Sequence, residues 1–128
     1  MNDSTLQITK SHKGPLPSVA FLEMKNKILG KKYELSIYFA DPKTSKSLNK
    51  KYRNKTYIPD VLSFPLTEYS GEIVACLDVI YKKYKEEGFK TKKSYLSFMI
   101  IHSMLHLKGF DHGTKMEKEE EKYKKIFC

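Results

Sequence analysis

The chain has 128 residues, of which 40% are hydrophobic and 12% aromatic, and its 24 basic and 15 acidic residues give a formal net charge of +9. This composition excludes an intrinsically disordered chain, and the length predicts one domain, residues 1–128, able to bury a core without disulfide or metal staples. The positive charge favours polyanionic partners, nucleic acid first, although lysines spread over a surface also serve solubility.

Neither an export signal nor a membrane span is visible. The stretch MNDSTLQITK lacks the basic-then-apolar layout of a signal peptide, and the most apolar run, YLSFMIIHSMLHL, is too short to cross a bilayer. We therefore expect a cytoplasmic protein with no membrane partner. Cys76 and Cys128 could pair in principle, but we interpret them as a buried thiol and a terminal thiol.

The N-terminal half of the chain predicts two helices around one strand. The segment LPSVAFLEMKNKIL spaces its apolar residues like a helix, which Gly30 ends. Its predicted buried face consists of Val19, Leu22, Ile28 and Leu29. The alternating YELSIYFA predicts a strand, and DPKTSKSLNKKYR predicts a helix with Asp41 as its N-cap and Pro42 at its first position.

The C-terminal half predicts two short strands followed by helices. DVLSFPL reads as a strand stopped by Pro65, and GEIVACLDVI begins as a strand and becomes helical after Asp78. TKKSYLSFMIIHSMLHLKG predicts an apolar helix that has a threonine or serine cap and ends at Lys108 and Gly109.

The last segment, TKMEKEEEKYKKIF, predicts a surface helix. Its charged residues suggest the i,i+4 pairs Glu120–Lys124 and Glu121–Lys125. Its predicted buried stripe consists of Met116, Tyr123 and Phe127. Because strands and helices alternate without regular parallel crossovers, we expect a small α+β domain with one mixed sheet packed against helices.

The stretch HSMLHLKGFDH has the H-x-x-x-H-x-x-G-x-x-H spacing of three-histidine zinc hydrolases. Four helical residues turn the chain by about 400°, so His102 and His106 lie on one face, as on the metal-bearing helix of zincins. Gly109 stops the helix, and the following loop delivers His112 to the same ion. Three nitrogens and one open position indicate a catalytic zinc site. Chance clustering is the alternative, but three of the chain's four histidines lie here.

Ser103 stands where a metalloprotease carries its general-base glutamate. Serine has no useful pKa for that role, and three neutral imidazoles leave the charge of the ion uncompensated. Such a cationic site favours an anionic phosphodiester over a neutral peptide. Asp111, the nearest carboxylate, could replace the missing base, but we favour a role in orienting a ligand imidazole or holding the loop.

Arg53 is the one arginine among the 24 basic residues. A guanidinium grips phosphate or carboxylate with two parallel hydrogen bonds, whereas the lysine ammonium is a point charge. A chemical requirement for the two parallel hydrogen bonds of a guanidinium would explain why this one basic residue is arginine. The alternative is chance.

From about Tyr33 onward the chain resembles the YbeY-type endoribonucleases, bacterial factors of ribosomal RNA maturation. Two signatures carry the resemblance: LNKKYRNKTYIPDVLSFP, and HSMLHLKGFDH, which is similar to the family pattern H-G-x-L-H-L-x-G-Y-D-H. The stretch GEIVACL is a weaker match. The departures are Pro59 for the usual threonine, Ser103 for glycine and Phe110 for tyrosine, and none removes a metal ligand.

The resemblance implies a zinc-binding α+β domain that acts as a single-strand-specific endoribonuclease in maturation and quality control of small-subunit ribosomal RNA. By motif, it makes His102, His106 and His112 the metal ligands and Arg53 the functionally important arginine. It implies one zinc ion per chain, and ribosomal RNA and the small ribosomal subunit as partners. Three imidazoles also suit nickel or copper in vitro.

We interpret the site as one where RNA lies along a lysine-lined groove with its scissile phosphate near the metal. The ion activates a water or polarises a phosphate oxygen while the 2′-hydroxyl attacks, and Arg53 clamps the phosphate. Lys51 and Lys55 are candidate RNA contacts or solvated surface charges. The alternatives are a metal hydrolase of another substrate and an RNA- or ribosome-binding module with a structural metal.

Overall fold

The computed structural model describes residues 4–128, so the first three residues of the N-terminal stretch and of the predicted 1–128 domain lie outside the described part. In chain order the elements are β1 (Leu6–Lys10), α1 (Phe21–Ile28), β2 (Glu34–Phe39), α2 (Pro42–Arg53), β3 (Val61–Thr67), β4 (Ser70–Ala75), α3 (Leu77–Lys83), α4 (Lys92–Lys108) and α5 (Thr114–Phe127). No helix within residues 4–128 has the length and apolar character needed to cross a bilayer.

The strands form one four-stranded mixed sheet in the order β1-β2-β4-β3. β2 pairs in parallel with β1 and β4, and β3 pairs antiparallel with β4 at one edge. The predicted α+β class and mixed sheet are confirmed. The sequence analysis predicts neither β1 nor the parallel pairings, because β1 is only five residues long, four of them exposed, and its place in the sheet is set by pairing with β2.

Side chains of the sheet alternate between two packed faces. On one face Ile37 and Ile73 belong to the main core together with the apolar residues of α4. On the other face Leu62 and Val74 form a smaller cluster against Leu48 of α2. Because α4 contacts α1, α3, α5, β3 and β4, the helix that carries two of the three clustered histidines is held from several sides.

Side-chain caps fix the starts of the two helices that lead to the site. The carboxylate of Asp41 accepts a hydrogen bond from the backbone N–H of Thr44 at 2.7 Å, and this bond holds the pKa of Asp41 below its usual value. The hydroxyl of Thr91 accepts from the N–H of Ser94 at 3.0 Å. The predicted starts of α2 and α4 are therefore confirmed.

Several predicted boundaries are wrong. α1 begins at Phe21 rather than near Leu16, because residues that precede prolines, as at Pro15 and Pro17, avoid helical backbone. β3 continues through Pro65, which an edge strand tolerates, with a register shift before Thr67. α3 begins at Leu77, before Asp78 rather than after it.

The buried faces of the outer helices are partly as predicted. In α1 only Ile28 of the predicted face is fully buried, whereas Val19, Leu22 and Leu29 are half-buried. The fully buried residues of α1 are Phe21, Met24, Lys25 and Ile28. The stripe of α5 is confirmed, with Met116 and Tyr123 buried and Phe127 packed against the core. Cys76 is a buried free thiol and Cys128 an exposed one, as interpreted from the sequence.

Lys25 is fully buried at the end of α1. Its Nζ donates to the carbonyls of Gly30, Lys31 and Tyr33 at 3.2, 2.9 and 2.9 Å, and to the hydroxyl of Thr5 at 2.8 Å. These bonds supply a donor to carbonyls of the turn that follows α1, where the Gly30 carbonyl also accepts from the N–H of Tyr33 at 3.3 Å. The side chain thereby joins α1, the start of β2 and the segment before β1.

We expect Lys25→Met to lower the free energy of unfolding by about 3 kcal/mol, because buried carbonyls lose their donor while the side-chain volume is nearly kept. Urea denaturation followed by circular dichroism measures the change. Lys27→Met, at an exposed position of the same helix, is the matched control and should leave the midpoint nearly unchanged. Equal midpoints for the two variants would contradict the role of Lys25.

Candidate metal centre

His102 and His106 lie on the same face of α4, four residues apart. Their Nε2 atoms are 3.2 Å apart, and their ring centroids are separated by 4.6 Å. Both side chains are half-buried, so the rings are partly shielded from solvent by the helices and the sheet around them. The helix thus presents two imidazole nitrogens to the same small volume.

The end of α4 returns the chain toward these two rings. Gly109 adopts the left-handed conformation with φ of 108°, its N–H bonds to the carbonyl of His106, and the N–H of Phe110 bonds to the carbonyl of Leu105. This pattern is a Schellman motif, which glycine favours because it has no Cβ. After this turn the ring centroid of His112 lies 4.8 Å from that of His106 and 5.4 Å from that of His102.

The Nδ1 atom of each histidine on α4 lies within hydrogen-bond distance of an acceptor. The Nδ1 of His106 is 3.0 Å from the carbonyl oxygen of Phe110, and the Nδ1 of His102 is 3.1 Å from the carboxylate Oε2 of Glu120. Since a carbonyl and a carboxylate only accept hydrogen bonds, each Nδ1 carries the proton in the neutral ring. Each Nε2 then has a lone pair, and the two lone pairs face one another across 3.2 Å.

Glu120 reaches this site from α5 and is missed by the sequence analysis. The predicted pairs Glu120–Lys124 and Glu121–Lys125 are wrong, because Glu120 turns inward to His102 and Lys124 instead approaches Glu121 at 4.0 Å. The signal for Glu120 lies in its spacing. It falls four residues after Met116 and three before Tyr123, on the buried stripe of the helix.

The environment of His106 favours its neutral form. Burial lowers the pKa of His106, and the nearby His102 and His112 lower it further, whereas the Phe110 carbonyl and the charge of Asp111 act in the opposite direction. Neutral imidazole is the form that binds a metal. Asp111 itself lies exposed in the loop before His112, and its predicted role toward a ligand histidine stays a prediction.

A cavity of about 440 Å³ opens over the three histidines. It is lined by Arg53, Asp60, Val61, Ser63, Met99, His102, His106 and His112. Arg53, the last residue of α2, is exposed and forms no ion pair within residues 4–128. The structure therefore brings the chain's single guanidinium and its histidine cluster to one cavity.

The other positions singled out in the sequence lie beside this cavity rather than in it. Lys51 and Lys55 are exposed neighbours of Arg53 and do not line it. Ser103 is fully buried, and its carbonyl accepts from the hydroxyl of Ser63 at 3.4 Å. The position of the protease glutamate thus contributes no carboxylate to the cavity. Asp60, not anticipated from the sequence, lines the cavity and pairs with Lys83 at 3.7 Å.

The three histidines fit a divalent transition metal. One ring nitrogen from each lies within 4.8 Å of the others. A tetrahedral zinc ion with bonds of ~2.0–2.1 Å separates its ligands by ~3.4 Å, close to the 3.2 Å between His102 and His106. Neutral imidazoles suit zinc, nickel and copper.

A family model described as Endoribonuclease YbeY matches residues 2–127. The chain belongs to the YbeY family. The match begins well before Tyr33, the start expected from the sequence signatures. It includes β1 and α1, which carry neither signature.

Curated relatives support this assignment. The Endoribonuclease YbeY of Polynucleobacter asymbioticus is 41% identical over 96 residues, which cover 72% of this chain and 60% of the relative. That of Mesoplasma florum is 34% identical over 114 residues, covering 80% of this chain and 64% of the relative. The chain therefore spans less than two thirds of the length of these YbeY proteins.

The fold is also similar to that of a protein from Thermotoga maritima whose structure was solved in solution. The two are 26% identical in sequence, with a TM-score of 0.63, and the match covers 94% of this chain and 87% of the other. The arrangement of helices and strands is thus shared along nearly the whole described chain.

Because the carboxylate of Glu120 holds the ring of His102, we expect Glu120→Ala to weaken the binding of an added divalent metal, with zinc as the probe, on the order of tenfold or more. Competition with a fluorescent zinc chelator measures the affinity. Glu121→Ala, the adjacent and more exposed carboxylate on the same helix, is the matched control. Equal affinities for both variants would show that Glu120 does not support the histidine cluster.

Proposed function

We propose that this YbeY-family chain is a metal-dependent endoribonuclease that cuts single-stranded RNA during maturation and quality control of small-subunit ribosomal RNA. The observation that carries the proposal is the cavity shared by three histidines and Arg53, whose guanidinium forms no ion pair within residues 4–128. The names of the curated relatives support RNA as the substrate. The chain would act as one domain, residues 1–128, in the cytoplasm, with ribosomal RNA and the small ribosomal subunit as partners.

His102, His106 and His112 are the proposed ligands of one zinc ion per chain, with nickel or copper able to replace it in vitro. A bound divalent ion supplies Lewis-acid polarisation of a phosphate oxygen or activation of a water. The protein's part is to keep the three rings neutral and aimed at one point. The acceptors at Phe110 and Glu120 fix the orientation of the two helical rings, and burial favours the neutral form of His106.

Arg53 is proposed to bind the scissile phosphate. Its guanidinium lines the histidine cavity and has no carboxylate partner within the described residues, so its donors are available to an incoming anion. Two parallel hydrogen bonds to phosphate oxygens would orient the diester and stabilise the charge that develops during cleavage. Lys51 and Lys55 would contact flanking phosphates from the adjacent exposed segment.

Arg53 and the neutral Ser103 support a phosphodiester rather than a peptide substrate, while the carboxylate of Asp60 in the same cavity pairs with Lys83. Ser103 is neutral and buried, so the charge of an ion at the histidines is not offset by a carboxylate at this position. Asp111 remains the candidate for an alternative base. The attacking group is either water or the 2′-hydroxyl, and a 2′,3′-cyclic phosphate on the cleaved RNA identifies the latter.

We expect His106→Ala to lose both bound metal and RNA cleavage, because two histidines do not complete the site. Elemental analysis of the purified proteins and a cleavage assay on single-stranded RNA measure the two effects. His12→Ala, the control, removes the histidine outside the cluster and should change neither the bound metal nor the RNA cleavage. A protein that binds RNA but never cuts it, with or without metal, would favour an RNA-binding module with a structural ion.

We expect Arg53→Glu to abolish cleavage and Arg53→Lys to slow it on the order of a hundredfold, since lysine keeps the charge but loses the fork. The urea denaturation midpoint should stay unchanged because the side chain is exposed. Lys31→Glu is the matched control, because it makes the same charge change in the loop before β2, near the end of the sheet that is away from the cavity. Full activity of Arg53→Glu would remove the proposed role.

A further inference from the structure

Residues 50–58, KKYRNKTYI, form a continuous exposed segment of which the proposed function uses Arg53, Lys51 and Lys55 but neither tyrosine. We call it the basic aromatic segment. Tyr52 is 58% exposed and Tyr57 55% exposed, and lysines or Arg53 stand between them and beside them. Large aromatic side chains left in solvent among cations need an explanation, because lysines alone would give charge and solubility.

The ring of Tyr52 and the backbone of Tyr57 are held in place by neighbouring side chains. The ring of Tyr52 packs edge-on against Phe64 of β3 with centroids 5.4 Å apart, and the Nζ of Lys51 lies 5.2 Å from the same ring. The buried side chain of Asn49 donates to the carbonyl of Tyr57 at 3.0 Å. A fixed aromatic face can accept a partner at a low cost in conformational entropy.

The backbone at the end of α2 also constrains the segment. Asn54 takes the left-handed conformation with φ of 56°, and its N–H bonds to the carbonyls of Asn49 and Lys50. Asparagine tolerates this conformation better than most residues. The turn after Arg53 is therefore a defined helix end that leads directly into Tyr57.

The charge around the segment suits a polyanion. No acidic residue occurs between Asp41 and Asp60, whereas six basic residues do. These are Lys43, Lys46, Lys50, Lys51, Arg53 and Lys55. Arg53 belongs both to this segment and to the histidine cavity, so a polyanionic chain that binds the segment continues into the cavity.

A partner with regularly spaced negative charges and flat apolar faces matches these features. Single-stranded nucleic acid has both, because its bases can unstack and lie on aromatic side chains, whereas a duplex hides the faces of its bases. We propose that Tyr52 and Tyr57 form a base-stacking platform that holds unpaired nucleotides next to the cleavage site. This inference rests on the proposed nuclease function and gives a physical origin for single-strand specificity.

The test compares binding of two fluorescently labelled strands of equal length and charge by anisotropy, one an RNA and the other an abasic phosphodiester. Chelator in the buffer prevents cleavage during the measurement. Tyr52→Ala and Tyr57→Ala should each weaken RNA binding on the order of tenfold, with little effect on the abasic strand. Tyr52→Phe keeps the ring and should bind RNA as tightly as the wild type.

Tyr69→Ala is the matched control, because Tyr69 is 65% exposed but lies at the β3–β4 turn, away from the cavity. Equal losses on RNA and on the abasic strand, or losses no larger than that of Tyr69→Ala, would overturn the platform. Circular dichroism shows whether a variant has lost RNA binding because it is unfolded. If an alanine variant is unfolded, RNA binding by Tyr52→Phe is used to judge the platform instead.

The stacking platform and the proposed nuclease function can be supported or contradicted independently of each other. Ring-dependent RNA binding by a protein that never cleaves RNA would support the platform and remove the nuclease. Efficient cleavage with ring-independent binding would retain the nuclease and remove the platform. Tight binding of an acidic peptide that competes with RNA, lost in both tyrosine variants, would assign the segment to a protein partner instead.

Discussion

The site depends on the direction of two lone pairs. A carbonyl and a carboxylate accept hydrogen bonds from the Nδ1 atoms of His106 and His102, so in the neutral rings the two Nε2 lone pairs are directed to the same volume, with the Nε2 atoms 3.2 Å apart. Two lone pairs directed to one small volume suit a shared cation. The contacts of α4 with α1, α3, α5, β3 and β4 hold the helix that carries both rings.

Much of this arrangement can be read from the sequence, because it is local. The spacing of His102 and His106 follows from helical geometry, and Gly109 marks the place where the chain must adopt a left-handed turn. The starts of α2 and α4 are equally local, since Asp41 and Thr91 each bond to an N–H three residues ahead. Such interactions are settled within a few residues, so they are visible without knowledge of the fold.

What the sequence does not reveal is decided between distant segments. Glu120 looks like one of several surface acids until α5 is seen to pack against α4, which turns it toward His102. Lys25 looks like a solvated charge until the turn that supplies its carbonyl partners is in place. β1 is short and mostly exposed, and it is defined by its pairing with β2. In each case tertiary contact overrides the usual preference of the residue type.

The contact between Glu120 and His102 joins the C-terminal helix to the ion site. Binding that requires an oriented His102 also requires α5 to be docked, so the two equilibria are thermodynamically linked. A ligand that binds through His102 therefore stabilises the docked position of α5, and undocking of α5 removes the carboxylate that orients the ring.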